Sequence, residues 1–257
     1  MKKKIVIDQM QRSVELTFPP KRIISLVPSQ TELLHYFGLE KEVVGITKFC
    51  VHPQNWFSTK QRIGGTKKLS IQEIIDLQPD LVIGNKEENT KEDISILEEN
   101  IPVWMSDVNT FAAALDFILK VGLLCGKTDE AKKLSSEIAR GFKKLEKIGQ
   151  GRSVLYFIWD EPAFVVGKNT FIDAMISKIG FTNVCKADRY PAFSDLKNVN
   201  PDFIFLSSEP FPFSENHSKK FQELFPSSKI IFVDGEMFSW YGSRMLLAID
   251  YFQSFLK

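Results

Sequence analysis

Aromatic side chains are concentrated in the segments that follow predicted strands. Trp159 comes directly after an apolar strand, and Trp240 and Tyr241 follow the last one. Core packing explains poorly a tryptophan placed just beyond a strand end, whereas flat aromatic walls bind large planar or apolar ligands. The pattern therefore predicts an aromatic ligand-binding site, to which Phe49 and Phe193 also belong.

Three polar side chains near these aromatics could orient a ligand. Tyr190 and Tyr241 each offer a hydroxyl, and Arg244 could bind a carboxylate or phosphate through two parallel hydrogen bonds. Arg244 also stands where a helix begins, so a salt bridge within the protein explains it equally well. Both interpretations of Arg244 stay open at this point.

Cys50 and His52 form the one pair that suggests a metal. They lie two residues apart in an irregular stretch after a strand, and a thiolate or a neutral imidazole can ligate a transition metal or haem iron. Two ligands do not make a metal cage, however, and His52 could simply pack before Pro53. His35 and His217 are interpreted as structural or solvated.

Composition and motifs exclude several classes of protein. The sequence has no phosphate-binding glycine loop, no serine-hydrolase elbow and no zinc-protease motif. A net charge of +1 gives no reason to expect nucleic acid or an anionic membrane as a partner. The three cysteines are far apart, which does not indicate a disulfide framework or a zinc ribbon.

Two alternatives to a binding protein are considered. One is an enzyme or a metal-handling factor on a similar fold, working in the cytoplasm. It would need a convergent set of titratable groups, and the candidates are Cys50, His52, Asp160, Glu161, Asp188 and Glu236. The other is a regulatory or scaffold protein that binds a protein partner.

The chain repeats itself. Strands alternate with helices in both halves, and the segment QPDLVIG at 78–84 returns as NPDFIFL at 200–206. Alternation of this kind predicts α/β units with parallel sheets, here duplicated. Ligands of such sheets bind at the carboxyl ends of the strands, where the aromatic segments lie.

A long amphipathic helix is predicted at 128–149. Ala131, Leu134, Ile138 and Phe142 recur at helical spacing, and Gly149 would end the helix. Its place near the middle of a duplicated chain predicts a single strut between two Rossmann-like lobes. The expected division is an N-terminal lobe at 1–127, the connecting helix at 128–149 and a C-terminal lobe at 150–257, with the ligand in the cleft between the lobes.

Three helix starts have the spacing of a capping box. Ser29 with Glu32 and Ser70 with Glu73 fit the motif, and Thr170 with Asp173 fits it with Asp in place of the usual Glu. Each pair predicts that the first residue's side chain caps a helix beginning directly after it.

The N-terminal segment does not predict a secretory signal. Three lysines precede only Ile5, Val6 and Ile7 before Asp8, which is too short for the apolar core of a signal peptide. The sequence as written therefore predicts a cytoplasmic protein, and a leader removed beforehand would give the same pattern.

Several stretches together resemble a known family, the substrate-binding proteins of ABC importers with a single helix between two lobes. Members bind cobalamin, haem, ferric siderophores or metal ions, and the cobalamin branch is the most similar. The resemblance covers nearly the whole chain. Its matching stretches are PKRIISLVPSQTELL (20–34), GL (38–39), VGIT (44–47), LQPDLVI (77–83) and NPD (200–202).

The resemblance implies a site and a location. It implies a monomeric, extracytoplasmic protein that is not an enzyme, has no intrinsic cofactor and binds a small-molecule chelate carrying cobalt or iron. Thr66, Asn85 and Ala192 stand where cobalamin binders tend to place tryptophan, so the chain departs from that branch. The ligand-facing positions fall at Phe49, Thr66, Asn85, Ile158 or Trp159, and Ala192 or Phe193.

The resemblance also implies an ABC permease as partner. Family members dock through one surface glutamate in each lobe. The first position falls at Gln72, beside Glu73, which the capping box already explains, and the second falls near Ser194 and Asp195. Both docking glutamates therefore look absent from this sequence.

Overall fold

The computed structural model describes residues 2–145, 148–197 and 199–255. The chain forms two compact units. Unit 1 holds the described residues up to Val108 together with Ala112–Glu137 and Tyr241–Arg244. Unit 2 holds Asn109–Phe111, Ile138–Trp240 and the described residues from Met245 onward. The short return of the chain to unit 1 at 241–244 is not predicted by the sequence.

Unit 1 begins with an antiparallel hairpin, β1 (Lys2–Ile7) and β2 (Ser13–Phe18). Its turn is held by Asp8, whose buried carboxylate binds Arg12.

The main sheet of unit 1 has five parallel strands in the order β5-β4-β3-β8-β9. Parallel strands buried on both faces read as continuous apolar runs, which describes most of the sheet, whereas its edge strand at 61–62 is polar. A separate two-stranded hairpin, β6 (Gly64–Gly65) and β7 (Lys68–Leu69), lies beside it. The strands of the main sheet are β3 (Ile23–Ser25), β4 (Val43–Ile46), β5 (Gln61–Arg62), β8 (Leu81–Asn85) and β9 (Val103–Ser106).

The helices of the first half alternate with these strands, as predicted. They are α1 (Pro28–Tyr36), α2 (Gln54–Thr59), α3 (Ile71–Asp76), α4 (Lys91–Glu98) and α5 (Phe111–Leu124). Of these, α3 and α4 pack with the strands into one apolar cluster that includes Ile24, Val82 and Met105.

Unit 2 is built on a second sheet in the order β11-β10-β13-β14, with β12 also paired to β10. β11 alone of these runs antiparallel to its neighbour. The strands are β10 (Ser153–Trp159), β11 (Phe164–Val165), β12 (Thr182–Asn183), β13 (Phe203–Ser207) and β14 (Lys229–Val233). The helices are α7 (Phe171–Lys178), α8 (Glu215–Leu224), α9 (Gly235–Ser239) and α10 (Arg244–Ser254), with a 3-10 turn at Phe193–Asp195.

The predicted duplication is visible in the hydrogen bonds of two aspartates. Asp80, just before β8, accepts from the backbone N–H groups of Lys21 and Arg22, which lead into β3. Asp202, just before β13, accepts from the backbone N–H and the hydroxyl of Ser153, which begins β10. Each aspartate thus ties the start of its strand to the start of the neighbouring strand.

The connecting helix, α6 (Thr128–Lys143), is shorter than predicted. The apolar face of the helix is buried, as expected. The predicted extension of the helix to 149 is wrong, because after Lys143 the backbone hydrogen bonds join residues three apart instead of four. The N–H of Gly149 then binds the carbonyl of Ile179 in unit 2. Lys147, which lies within the predicted extension, is outside the described residues. α6 has 16 residues and runs from unit 1, up to Glu137, into unit 2, so the two-unit α/β fold joined by one helix is confirmed.

Only one of the three predicted capping boxes gives a side-chain cap. α1 starts two residues earlier than expected, with Pro28 in its first turn and Val27 as cap, so Ser29 is inside the helix. Pro is favoured at this position because its missing N–H would be unpaired there anyway. Ser70 precedes α3 without a side-chain hydrogen bond, whereas Thr170 caps α7 by accepting from the N–H of Asp173.

Candidate functional site

The turn after β4 presents Phe49 to solvent. Its ring is 50% exposed, although large aromatic side chains are usually buried. A Cβ placed on Gly65 would lie 3.1 Å from Cε2 of Phe49, so the ring lies directly against the backbone of the β6-β7 hairpin. The predicted ligand-facing aromatic of unit 1 is therefore available on one side and supported on the other.

Two further predicted positions, Thr66 and Asn85, are brought together by Asn89. The Asn89 amide donates to the carbonyl of Thr66 at 3.0 Å, and its oxygen accepts from the N–H of Asn85 at 2.8 Å. Asn85 itself is buried, and its oxygen accepts from the N–H groups of Glu87 and Glu88. In this structure Asn85 therefore shapes the loop after β8.

Tyr241 belongs to a buried polar network at the ends of β8 and β9. Its hydroxyl lies 3.4 Å from Oγ of Ser106 and 3.3 Å from Nε2 of Gln30. Nε2 of Gln30 also donates to the carbonyl of Gly84 at 2.9 Å. Burial raises the pKa of Tyr241 to about 12, so the phenol stays protonated at neutral pH.

Arg244 forms a double ion pair with Glu32. Nε and Nη2 of the arginine each lie 2.9 Å from one carboxylate oxygen, and the arginine is buried. This is the intramolecular salt bridge considered as the alternative for Arg244. A ligand contact through Arg244 stays a prediction, and it would compete with this pair.

Cys50 is a buried, neutral thiol. Its sulfur accepts from Oγ1 of Thr31 at 3.1 Å and lies 3.2 Å from Oγ1 of Thr47. Burial raises its pKa, which disfavours the thiolate needed for metal binding. His52 is half-buried before Pro53. Among the described residues, no group of three or more His, Cys, Asp or Glu side chains is placed to hold a metal, and the metal role of this pair stays a prediction.

In unit 2, Trp159 is the exposed aromatic. It ends β10 with 40% of its surface exposed, and its indole N–H donates to the carbonyl of Glu161. Trp159 pairs with Phe164 of β11, and Phe164 forms a bridge with Ala192. The predicted segment 190–193 therefore lies next to β11, the strand that also pairs with Trp159 at the end of β10.

Within that segment the two predicted aromatics differ. Tyr190 is half-buried, with the Arg189 guanidinium 5.9 Å from its ring centroid. Phe193 packs against the apolar core of unit 2, with its ring 5.3 Å from that of Phe157 and 5.6 Å from that of Phe225.

Trp240 is buried in unit 2. Its indole N–H donates to Oε1 of Glu209 at 3.1 Å, and the hydroxyl of Ser239 donates to the same oxygen. Burial raises the pKa of Glu209. The N–H of Trp240 is thus engaged inside the protein, and a ligand contact by its ring stays a prediction.

The carboxylates considered for an enzyme do not converge. Asp160 and Glu161 are both paired with Lys220, at 2.8 and 3.3 Å, and Asp188 accepts from the amide of Asn169. Glu236, the remaining candidate, lines an acidic cavity of about 650 Å³ in unit 2. Its lining residues are Ser208, Glu209, Phe232, Val233, Asp234, Glu236 and Tyr251.

His217 has a defined structural role. It caps α8 together with Ser214, and its ring contacts Phe211 and Phe213 edge-on. This capping box, with His in the place of Glu, was not predicted.

Comparison with known proteins decides the family. The profile described as periplasmic binding protein matches residues 23–228, which is most of the chain. The chain belongs to this family of periplasmic binding proteins. Its members bind solutes outside the cytoplasm, which confirms the prediction of a binding protein rather than an enzyme and gives no support to the cytoplasmic alternative.

Two curated relatives are identical to this chain at about a quarter of the aligned residues. An uncharacterised ABC transporter substrate-binding lipoprotein, YvrC of Bacillus subtilis, is 26% identical over 77% of this chain and 67% of its own length. A vitamin B12-binding protein of Vibrio campbellii is 28% identical over 74% of this chain and 71% of its own.

Solved structures show the same fold at lower identity. The petrobactin-binding protein YclQ of Bacillus subtilis superposes with a TM-score of 0.81 at 16% identity, covering 98% of both chains. The haem-binding protein RhuT of Roseiflexus sp. RS-1 gives 0.72 at 20% identity, covering 91% of this chain and 97% of its own. Within the described residues, no helix combines the length and apolarity needed to cross a bilayer.

Sequence reasoning missed the residues that support the predicted ones. Gly65 lies under Phe49, Asn89 joins Thr66 to Asn85, and Ser106 joins Asn85 to Tyr241. In the sequence, the Gly64-Gly65 pair has only the signature of an ordinary turn. A polar serine at the end of the apolar strand β9 was the other available signal.

Proposed function

We propose that this periplasmic binding protein captures a metal-bearing chelate, a corrinoid, haem or ferric siderophore, for import by an ABC transporter. The observation that carries the proposal is the exposed ring of Phe49, supported by Gly65 at the carboxyl end of the unit 1 sheet. Ligands of parallel α/β sheets bind at that end of the strands. The ligand would supply the cobalt or iron.

The relatives support a metal-bearing chelate as the class of ligand, but they do not identify which chelate this chain binds. One curated relative binds vitamin B12, and two structural neighbours bind petrobactin and haem. These ligands are large and have extended flat or apolar surfaces, which an exposed aromatic ring fits. Trp159, exposed at the end of β10, is the equivalent contact that we propose for unit 2.

We also propose an extracytoplasmic monomer that docks on a permease. The expected docking position of unit 1 falls at Gln72, and the sequence explains the adjacent Glu73 by a capping box. Ser70 makes no such cap, and Glu73 is exposed in the first turn of α3. In unit 2 the exposed Asp195 lies at the second expected position. Glu73 and Asp195 are therefore our candidates for the two docking carboxylates.

A fluorescence titration tests the ligand class. Haemin, cyanocobalamin and a ferric siderophore absorb visible or near-ultraviolet light, so bound ligand should quench tryptophan emission until one equivalent is added. Phe49→Ala should weaken binding of the quenching ligand by about tenfold or more. Phe57→Ala is the control. Phe57 belongs to α2, and its ring already packs against the guanidinium of Arg62 within the protein. If no probe quenches, or if both variants bind like the wild type, the proposal fails.

A further inference from the structure

The turn at 47–51 holds Lys48 and Phe49 between two buried anchors. Thr47 and Cys50 are fully buried and contact each other through side chains 3.2 Å apart. The N–H of Cys50 also donates to the carbonyl of Thr47 at 3.1 Å, and the N–H of Lys48 donates to that of Gly64 at 2.9 Å. Lys48 and Phe49 are consequently presented outward by a turn whose ends are fixed.

Both side chains pack on the same glycine. A Cβ on Gly65 would lie 3.1 Å from Cε2 of Phe49 and 3.3 Å from Cε of Lys48. The ammonium of Lys48 lies 5.1 Å from the centroid of the Phe49 ring. Ring and cation therefore form one surface, which we name the Lys48–Phe49 shelf, with the bare backbone of Gly65 beneath it.

The charge of Lys48 is not neutralised by an ion pair with any residue that the structure describes. Some lysines of the unit do have such a partner: for example, Lys86 lies 2.6 Å from Asp107 and Lys60 lies 3.6 Å from Glu40. A flat ligand on Phe49 would cover part of Lys48 and reduce its screening by water. An anionic group at the edge of that ligand would then interact strongly with the ammonium.

We propose that the Lys48–Phe49 shelf is an anion-selecting subsite. It prefers a ligand that carries an anionic oxygen group, a carboxylate or a phosphate, beside a flat face. This inference rests on the proposed function and narrows it, because neutral amide-substituted or esterified ligands would gain nothing from Lys48. Phe49 supplies contact area in either case, and Lys48 distinguishes the ligands.

Two pairs of probes test the subsite. Haemin has two carboxylates, which its dimethyl ester lacks, and cyanocobalamin has a phosphodiester, which dicyanocobinamide lacks. Affinities are measured for the wild type, Lys48→Gln and Lys86→Gln. The last variant is the control, because Lys86 is an exposed lysine of the same unit whose charge is already paired.

In the pair that binds, we expect the charged member to bind the wild type at least about fivefold more tightly than its neutral partner. Lys48→Gln should remove this preference and leave the affinity for the neutral member unchanged, while Lys86→Gln keeps it. The preference should also shrink as ionic strength rises. Preference for haemin over its dimethyl ester identifies the selected anion as a carboxylate, and preference for cyanocobalamin over dicyanocobinamide identifies it as a phosphate.

Equal affinities within the binding pair, or an unchanged preference in Lys48→Gln, would overturn the subsite and leave the proposed function standing. Absence of binding by all four probes and by a ferric siderophore would overturn the proposed function and the subsite together. Lys48 is exposed, so Lys48→Gln should unfold at the same temperature as the wild type, which a thermal scan checks.

Discussion

At the scale of single residues, the candidate site depends on Gly65, which has no side chain. Gly65 is buried and lets Phe49 and Lys48 lie against the backbone of the hairpin. Any side chain there would occupy the space that both need. The functional importance of this glycine could not be predicted from the sequence, because Gly64-Gly65 also has the ordinary signature of a turn.

Gly65→Ala should therefore disturb binding more than stability. The added methyl would press on Phe49 and Lys48, two exposed side chains that can move aside by a few tenths of an ångström. We expect affinity for the preferred ligand to fall by about threefold or more, with little change in the melting temperature. Titration and a thermal scan on the same sample separate the two effects. Unchanged affinity would mean that the position of Phe49 does not matter.

Burial divides the predicted site residues into two groups. Phe49 and Trp159 are exposed, as ligand contacts should be, whereas Asn85, Trp240, Tyr241 and Arg244 are buried and bind other residues of the protein. A sequence shows that an aromatic or charged residue follows a strand. It does not show whether a distant partner, such as Glu32 for Arg244, already occupies the polar group.

At the scale of elements, apolar periodicity predicted most strands and helices of both units. The duplication was also correct, because Asp80 and Asp202 make the same kind of bond before equivalent strands. Element ends were less predictable. The last turn of α6 is replaced by i+3 hydrogen bonds, and Gly149 instead pairs with Ile179. Such an end depends on a partner 30 residues further along the chain, which local spacing does not reveal.

Helix caps give a test at this scale. Thr170 accepts a hydrogen bond from the N–H of Asp173, whereas Ser70 stands at the same position of α3 without one. Thr170→Ala should thus reduce the free energy of unfolding by about 1 kcal/mol. Ser70→Ala, the matched control, should change it by less than about 0.5 kcal/mol. Urea unfolding measures both, and equal losses would contradict the difference between the two caps.

At the scale of the whole molecule, family membership and fold agree with the sequence-based interpretation. Two α/β units share one connecting helix, and structural neighbours with this fold cover nearly all of the chain. The domain boundaries at 127 and 149, and the cleft predicted between the lobes, stay predictions. The identity of the ligand does not follow from the fold, because solved structures with the same fold bind vitamin B12, haem and petrobactin.

The central claim is that the chain holds a metal-bearing chelate, and retention of a coloured ligand tests it most directly. The purified protein is incubated with haemin, cyanocobalamin or a ferric siderophore, passed through a gel-filtration column, and its visible spectrum is recorded. We expect one of the three to elute with the protein at one equivalent per chain, and much less of it to elute with Phe49→Ala. Elution of a colourless protein in all three experiments would contradict the account.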